Sequence, residues 1–288
     1  MLQFIQAIQN PDVPFLRYAL IAGLLSSAAF GIVGTYVSVK RISYLAGAIA
    51  HSVLAGIGIT LFFKHNYGIE WISPIFGAMI AALVSAAIIG LVSMYAKERE
   101  DTVIGAVWAI GMAIGLLFIS RTSGYVDPMS YLFGNILIIS KQELYLIAGL
   151  DIVVVIIGIA AFRQFQAISF DEEFARVRGV PTKFYNFLLL ILTAVSIVLL
   201  STIVGIIMVI ALFTIPPAVG NIISKRLLPV MIIATVFTML FTTGGLAVSY
   251  TYDFPSGPTI IVFAGFVYLV VLLIRNLYTG MRKDKGIK

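Results

Sequence analysis

Long apolar runs separated by short polar or basic segments form the pattern of this chain of 288 residues. Because a helix needs about 20 apolar residues to cross the hydrocarbon core of a bilayer, each run is long enough to span a membrane. The runs lie at 16–39, 42–63, 71–96, 102–120, 143–162, 184–202, 203–222, 228–249 and 259–277. The pattern therefore predicts an all-α polytopic membrane protein of about nine transmembrane helices, with residues 1–288 forming a single domain.

The limits of two of these predicted helices depend on where the stretch 184–223 is divided. Residues 184–223 carry no charge except near their ends and are too long for one crossing. Pro216 and Pro217 lie in this stretch, and proline disrupts a helix interior. We therefore divide the stretch into helices over 184–202 and 203–222. Residues 131–140 are apolar but too short to cross, which predicts a re-entrant or interfacial segment.

Composition and charge agree with a membrane location. Hydrophobic residues make up 60% of the chain and charged residues only 11%, whereas soluble domains are about 25% charged. The net charge of +6 comes from basic residues between the spans, which favours contact with lipid headgroups over nucleic acid. In the nine-span arrangement one side holds only Arg17, Lys64, Arg121 and Lys141, and the other holds the remaining Lys and Arg residues. The positive-inside rule then predicts a multi-pass membrane protein with its N-terminus outside and its C-terminus in the cytoplasm.

Two ionisable residues stand near the centres of their spans, His51 in 42–63 and Asp151 in 143–162. Such residues usually face a cavity, a transport pathway or each other, so both are candidate metal contacts, and they could meet if the two spans are neighbours. A neutral imidazole and a carboxylate together suit a divalent transition metal. The alternative is that each side chain only forms a hydrogen bond with a neighbouring helix.

Motifs of hydrolytic enzymes are missing from the sequence. It has no His-Glu-x-x-His, no Gly-x-Ser-x-Gly and no pair of carboxylates within one span. Cysteine is absent, which excludes disulfides, thiolate metal ligands and thiol catalysis. An intramembrane enzyme is therefore the weaker class, and we expect a transport protein that is not itself an enzyme. No Walker-type phosphate-binding loop occurs either, so any ATP hydrolysis would belong to a separate polypeptide.

The longest polar stretch, residues 163–183, carries the signature of a short helix in a cytoplasmic loop. Ser169 and Glu172 have the spacing of a capping box. Acidic residues fill the predicted first turn and basic residues the last, as the helix dipole favours. Gly179 can end the helix, and Pro181 prevents its continuation.

An apolar stripe runs along one face of this predicted helix. Phe170, Phe174 and Val177 follow the spacing i, i+4, i+7. Such a stripe either lies on the bilayer or on the protein's own bundle, or it docks into a groove on a cytoplasmic motor subunit. Spacing alone leaves these alternatives open.

Six segments, taken in order, resemble the permease subunits of metal-ion ABC importers, the zinc/manganese/iron family. They are VKRISYLAGAIAHSVLAGIGI (39–59), REDTVIGAVWAIGMAIGLLFIS (99–120), YLFGNILIIS (131–140), ISFDEEFARVRGVP (168–181), VGIIMVIALFTIPPAV (204–219) and PSGPTIIVFAG (255–265). Any one motif is weak evidence, but together they are specific and reach from the second span almost to the C-terminus.

The resemblance implies a fold like that of the type II, cobalamin-type ABC importers. It also implies a homodimer of permease chains with two cytoplasmic ATPase subunits and an extracytoplasmic metal-binding protein. In such a system the divalent metal is the transported substrate, ATP is bound by the partner subunit, and the permease holds no permanent cofactor. The resemblance makes the loop 163–183 a coupling-helix loop that binds the ATPase through Phe170, Asp171, Glu172, Glu173, Phe174, Arg176 and Gly179.

The resemblance also places His51 at the family's histidine in the second span, with one departure. The family commonly reads Asp-Ala-x-x-His here, whereas this chain has Gly47 four residues before His51. Gly47 therefore takes no ligand role, and Asp151 is our hypothesis for the missing oxygen ligand. Zinc is the first substrate expected, because an imidazole with few carboxylates suits zinc better than manganese. Manganese, iron or a chelated metal are the alternatives within this family, and a secondary transporter or a channel is a less favoured class.

Overall fold

The computed structural model describes residues 2–10, 14–95, 100–124, 127–134, 136 and 139–284. Within these ranges the chain forms helices and no strand. The helices are α1 (Leu2–Gln9), α2 (Pro14–Val39), α3 (Ser43–Tyr67), α4 (Pro74–Tyr95), α5 (Glu100–Ser120), α6 (Pro128–Phe133), α7 (Lys141–Ala160), α8 (Phe162–Phe170), α9 (Glu172–Val177), α10 (Thr182–Val204), α11 (Ile206–Ile223), α12 (Leu227–Tyr252) and α13 (Ser256–Asp284).

Nine helices of the described residues are long and apolar enough to cross a membrane. They are α2 to α5, α7 and α10 to α13. Their limits lie within a few residues of those predicted from sequence, except that α13 continues to Asp284. The prediction of an all-α membrane bundle is confirmed.

The break between α10 and α11 lies at Gly205 and not at the two prolines. Gly205 has a φ of 88°, and an added Cβ there would lie 2.3 Å from the amide nitrogen of Gly134, so glycine suits both the backbone and the space. Pro216 and Pro217 lie inside α11, so the expectation that they break the helix is wrong. Membrane helices tolerate proline where neighbouring helices pack closely, and α2 packs against α11.

Helix α3 lies in the centre of the bundle and is buried along most of its length. It packs mainly against α4 and α5. A Cβ added to Gly56 would lie 1.9 Å from the carbonyl oxygen of Gly77 on α4, and one added to Gly58 would lie 2.5 Å from that of Gly115 on α5. Small residues at such crossings let membrane helices approach closely, so these two contacts fix the position of α3.

The segment 131–140 begins with the short helix α6, which contacts α10 and α11. A Cβ added to Gly257, at the start of α13, would lie 2.3 Å from the carbonyl oxygen of Phe133. Because these contacts are with the ends of spanning helices, they favour the interfacial interpretation over the re-entrant one. Residues 135, 137 and 138 lie outside the described part of the chain.

Candidate functional site

The imidazole of His51 lies on α3 and is only partly buried. Its Nδ1 atom is shielded from solvent and has no hydrogen-bond partner among the described residues. The ring stacks on the indole of Trp108, from α5, with the ring centroids 4.6 Å apart and an interplanar angle of 15°. Because a buried polar atom without a partner costs free energy, this nitrogen is suited to accept a ligand such as a metal ion.

Trp108 covers one face of α3 over two helical turns. Its ring centroid lies 5.9 Å from that of Tyr44, and a Cβ added to Gly47 would lie 3.4 Å from the indole Cζ3. Tyr44, Gly47 and His51 share this face at spacing i, i+3, i+7. At the position where the resembled family commonly has an aspartate, α3 therefore faces an aromatic ring.

Trp108 was not among the candidates from sequence. The signal that could have found it is its spacing to two glycines, since Trp108, Gly111 and Gly115 share one face of α5 at i, i+3, i+7. Both glycines pack on α3, and a Cβ added to Gly111 would lie 2.7 Å from the Cα of Ser52. Small residues mark the face of a membrane helix that approaches another helix, and Trp108 lies on that face.

Asp151 is buried on α7 and contacts α2. Its Oδ1 accepts a hydrogen bond of 3.2 Å from the backbone amide of Ala29, and its Oδ2 is buried without a partner in the described residues. Helix α7 packs mainly against α2, whereas α3 packs mainly against α4 and α5. Asp151 and His51 form no hydrogen bond with each other, and their helices pack mainly on different neighbours, because a similar depth in the membrane does not decide which helices pair.

The part of the chain that the structure describes contains no group of three or more His, Asp or Glu side chains that could hold a metal ion. His51 therefore belongs to no such group among these residues. Zinc sites in proteins commonly have four ligands, so an ion at His51 would need water or groups from another chain to complete its coordination.

The stretch predicted as a cytoplasmic loop folds as two short helices, α8 and α9. Helix α8 is anchored by Phe165 and Ile168, which are buried in an apolar cluster with residues of α2, α10 and α12. The Phe165 ring makes edge-to-face contacts with Tyr36 of α2, at 5.0 Å, and with Tyr185 of α10, at 6.0 Å. These contacts fix α8 to the bundle, so α9 projects from a rigid base.

Helix α9 begins after Asp171, whose Oδ1 accepts a hydrogen bond of 2.9 Å from the amide of Phe174. The predicted capping box of Ser169 and Glu172 is wrong, because Ser169 lies inside α8 and its Oγ has no partner among the described residues. Aspartate is as good a helix N-cap as serine. The cap is therefore two residues further along the chain than predicted.

The end of α9 matches the prediction. Gly179 has a φ of 83°; its amide donates to the Arg176 carbonyl, and the Val180 amide donates to the Ala175 carbonyl, each at 3.0 Å. This pair of bonds is the Schellman motif that terminates helices at glycine.

The predicted apolar stripe is exposed, but two helices contribute to it. Phe170 is the last residue of α8, while Phe174 and Val177 belong to α9. The exposed fractions of the three residues are 61%, 56% and 85%. The guanidinium carbon of Arg178 lies 5.1 Å from the centroid of the Phe174 ring. Exposed aromatic and aliphatic groups beside charges are typical of a surface that binds a protein or a membrane.

Lys40 connects α9 to the bundle. Its Nζ lies 3.7 Å from Oε2 of Glu172 on α9 and donates a hydrogen bond to Oδ1 of Asn186 on α10. Lys40 itself lies in the turn between α2 and α3. One side chain thus joins α9, α10 and the turn that leads into the helix of His51.

Comparison with other proteins gives related sequences over most of the chain. Residues 12–275 match the ABC 3 transport family. A probable metal transport system membrane protein of Chlamydia pneumoniae is 35% identical over 259 residues, which cover 90% of this chain and 88% of that protein. The manganese transport system membrane protein MntC of Halalkalibacterium halodurans is 30% identical over 256 residues, which cover 88% of this chain and 85% of that protein.

The fold is similar to that in the solved structure of PsaBC from Streptococcus pneumoniae in complex with Fab. The match has a TM-score of 0.81 and 26% sequence identity, and it covers 93% of this chain and 94% of the other. The family match runs from the start of α2 into α13 and includes α3, α5 and α9. The chain therefore belongs to the ABC 3 transport family and is a membrane permease of the metal-ion ABC type that its sequence resembles.

Proposed function

We propose that this chain is the membrane-spanning subunit of an ATP-driven importer of a divalent metal ion, and that His51 contacts the ion during its passage. The observation that carries the proposal is the imidazole about a third of the way along α3, whose buried Nδ1 has no partner among the described residues. Ionisable side chains inside membrane spans usually belong to a transport pathway. Membership of the family supports transport as the class of function.

A single imidazole ligand suits transient binding of a passing metal ion better than long-lived binding. A transport site must bind the ion strongly enough to admit it and weakly enough to release it. Gly47 adds no carboxylate beside His51, and the described ranges contain no metal-binding group of three side chains. A second copy of the chain is part of the proposal, because it would contribute a further imidazole to a pathway between the protomers.

Zinc and manganese are the two candidate ions, and a different observation favours each. The lone imidazole without a neighbouring carboxylate favours zinc, since manganese prefers oxygen ligands. The similarity to a protein named as a manganese transport system membrane protein favours manganese. Iron is a third member of the same class of substrate.

The energy source in this proposal is a separate ATPase subunit that binds α9. The exposed side chains of Phe174 and Val177 offer an apolar contact, and the rigid attachment of α8 lets α9 transmit movement to the bundle. The acidic first turn and basic last turn of α9 add charges that can select a partner surface. In this proposal the residues that take part in docking are Phe170, Asp171, Glu172, Glu173, Phe174, Arg176 and Gly179.

The proposed orientation has the N-terminus outside a bacterial plasma membrane and α9 in the cytoplasm. It rests on the unequal distribution of Lys and Arg between the two ends of the spans. An extracytoplasmic metal-binding protein would then deliver the ion to the ends of the spans opposite α9. The two sides of the transporter therefore bind different partners.

Uptake by the reconstituted complex tests the proposal. The permease, its ATPase and its metal-binding protein would be placed in liposomes, and entry of radioactive zinc and of radioactive manganese would be measured with and without ATP. We expect ATP-dependent uptake that His51→Ala abolishes or strongly reduces while the complex still assembles. The matched control is His65→Ala, because His65 lies near the opposite end of α3 and its Nδ1 is 3.0 Å from the Leu61 carbonyl oxygen.

Three results would contradict parts of this proposal. Uptake without ATP by the permease alone would indicate a secondary transporter. Full uptake by His51→Ala would remove His51 from the pathway. Equal loss of uptake in His51→Ala and His65→Ala would show that the effect is not specific to the central imidazole.

A further inference from the structure

A cavity of about 750 Å³ lies at the α9 end of the bundle, away from His51. Its wall is formed by the α2–α3 turn, the first turn of α3, the last turns of α4, helix α9 and the first turns of α10. Its volume falls within the range of about 300–1,000 Å³ that is usual for small-molecule sites. Neither the metal pathway nor the apolar stripe of α9 accounts for it.

The polar part of the cavity is predominantly positive. Lys40, Arg176 and Lys183 line it from three different elements, and Glu172 is the only carboxylate among the described residues of the lining. Glu172 lies 3.7 Å from Lys40, so the described lining carries three positive groups and one negative group. A cluster of this kind attracts an anion, and phosphate is an anion that both Lys and Arg bind.

Apolar residues form another part of the wall, which extends along the spans. Ile42 and Leu45 contribute from the α3 side, and Phe187 and Leu190 from α10. Leu190 lies about 12 Å along the helix axis from Thr182, the first residue of α10, at 1.5 Å per residue. The cavity therefore begins at charged helix ends and continues between apolar side chains toward the middle of the membrane.

We propose that this cavity is a binding site for one anionic phospholipid of the leaflet on the α9 side. The phosphate would lie among Lys40, Arg176 and Lys183, and the first part of an acyl chain would lie against Phe187 and Leu190. A free phosphate would leave the apolar wall unused, whereas a phospholipid matches both the charge and the position at the ends of membrane spans. Since Glu172 and Arg176 belong to α9, the bound lipid also contacts the helix that we assign to ATPase docking.

Nanodiscs that contain phosphatidylcholine and phosphatidylglycerol provide the test. The full chain would be extracted from them, and the retained lipids would be identified by native mass spectrometry. We expect the wild-type protein to retain phosphatidylglycerol, and Lys40→Gln/Lys183→Gln to lose it by roughly tenfold or more, on the scale of about 1 kcal/mol per basic residue at a lipid surface. The matched control is Lys225→Gln/Arg226→Gln, which removes the same charge beside α11 and α12, outside the cavity.

A second variant keeps the test informative if the loss of Lys40 impairs folding. Ser93→Phe adds a ring to the cavity wall on α4 without removing a charge, and we expect it to reduce retention of phosphatidylglycerol as well. Retention that is equal for both lipids, or unchanged in both cavity variants, would overturn the proposal. Inorganic phosphate is the competing ligand. If low concentrations of inorganic phosphate saturate the site and release the retained lipid, the cavity binds the free anion and the proposal of a lipid site is overturned. None of these readouts depends on metal transport.

Discussion

The imidazole of His51 lies face to face with the indole of Trp108, with 4.6 Å between their centroids. The two residues come from different spans, so the stack fixes the ring of His51 relative to α5 as well as α3. Aromatic pairs of this geometry contribute about 0.5–1.5 kcal/mol beyond the area they bury. Trp108 thus acts as a positioning residue for the proposed metal contact.

Replacement of Trp108 tests this role. We expect Trp108→Ala to raise the metal concentration needed for half-maximal uptake by roughly twofold to tenfold, because the imidazole loses its stacking partner. Trp108→Phe keeps a smaller ring and should have a weaker effect. Uptake kinetics of the reconstituted complex give this value, and an unchanged half-maximal concentration in Trp108→Ala would show that the stack is not needed.

Restoring the missing carboxylate should change ion preference. Gly47→Asp places an oxygen ligand on the face of His51, and because manganese prefers oxygen ligands, we expect the ratio of manganese to zinc uptake to rise several-fold. A Cβ at Gly47 would lie in van der Waals contact with the indole of Trp108, 3.4 Å from its Cζ3, so the added carboxylate would lie beside that ring. Gly47→Ala, which adds the Cβ without the carboxylate, is the control. Equal uptake ratios in the two variants would argue against a metal at this face.

Asp151 is expected to stabilise the α2–α7 contact. Asp151→Asn retains an acceptor for the Ala29 amide, so it should transport nearly as well as the wild type. Asp151→Leu removes that acceptor and should cost roughly 1–3 kcal/mol of stability, visible as a lower midpoint of thermal unfolding in detergent. A loss of uptake in Asp151→Asn as large as that in His51→Ala would instead make Asp151 a pathway ligand.

The docking surface on α9 can be tested by ATPase binding. The triple variant Glu172→Ala/Glu173→Ala/Phe174→Ala should detach the ATPase or separate ATP hydrolysis from uptake, because it removes the acidic first turn and an exposed ring. Co-purification of the ATPase with the permease measures attachment. Trp71→Ala is the control, since Trp71 is 83% exposed and precedes α4 at the opposite end from α9. Undiminished attachment of the ATPase together with unchanged coupling of ATP hydrolysis to uptake would refute the docking role.

Two glycines with positive φ angles should respond differently to alanine. At Gly179 nothing lies within 4 Å of an added Cβ, so Gly179→Ala should cost only about 1–2 kcal/mol, the strain of a left-handed backbone. At Gly205 the same change also places a Cβ 2.3 Å from the backbone of Gly134, and we expect little folded protein. Yield and thermal stability in detergent distinguish the two, and equal behaviour would contradict the packing at Gly205.

The spans could be predicted from the sequence because the membrane itself enforces them. Every backbone polar group in the hydrocarbon region must be paired within the chain, so an apolar run of sufficient length becomes a helix whatever its neighbours are. The end of α9 could be predicted for a different reason, because Gly179 is a local signal for helix termination. The N-cap of α9 was not predicted correctly, because Ser169 and Asp171 are both good caps and the length of α8 decided between them.

The pairing of helices could not be predicted in this way. In a membrane, surfaces that face lipid and surfaces that face another helix are similarly apolar, so hydropathy does not identify the neighbours of a span. For this reason His51 was found as a candidate, while its contact with Trp108 and the separation of Asp151 from it were not. Close approach between glycine backbones accompanies the pairing of α3 with α4 and α5, and such contacts join residues that are distant in sequence.

The contact between Lys40 and Glu172 gives the molecule a short mechanical connection between α9 and α3. Helix α3 begins at Ser43, immediately after the turn that holds Lys40, and His51 lies about 12 Å further along its axis. A displacement of α9 that carries Lys40 with it would therefore reach the imidazole through the short α2–α3 turn and about two turns of helix. That path is less than half of the roughly 30 Å thickness of the hydrocarbon core.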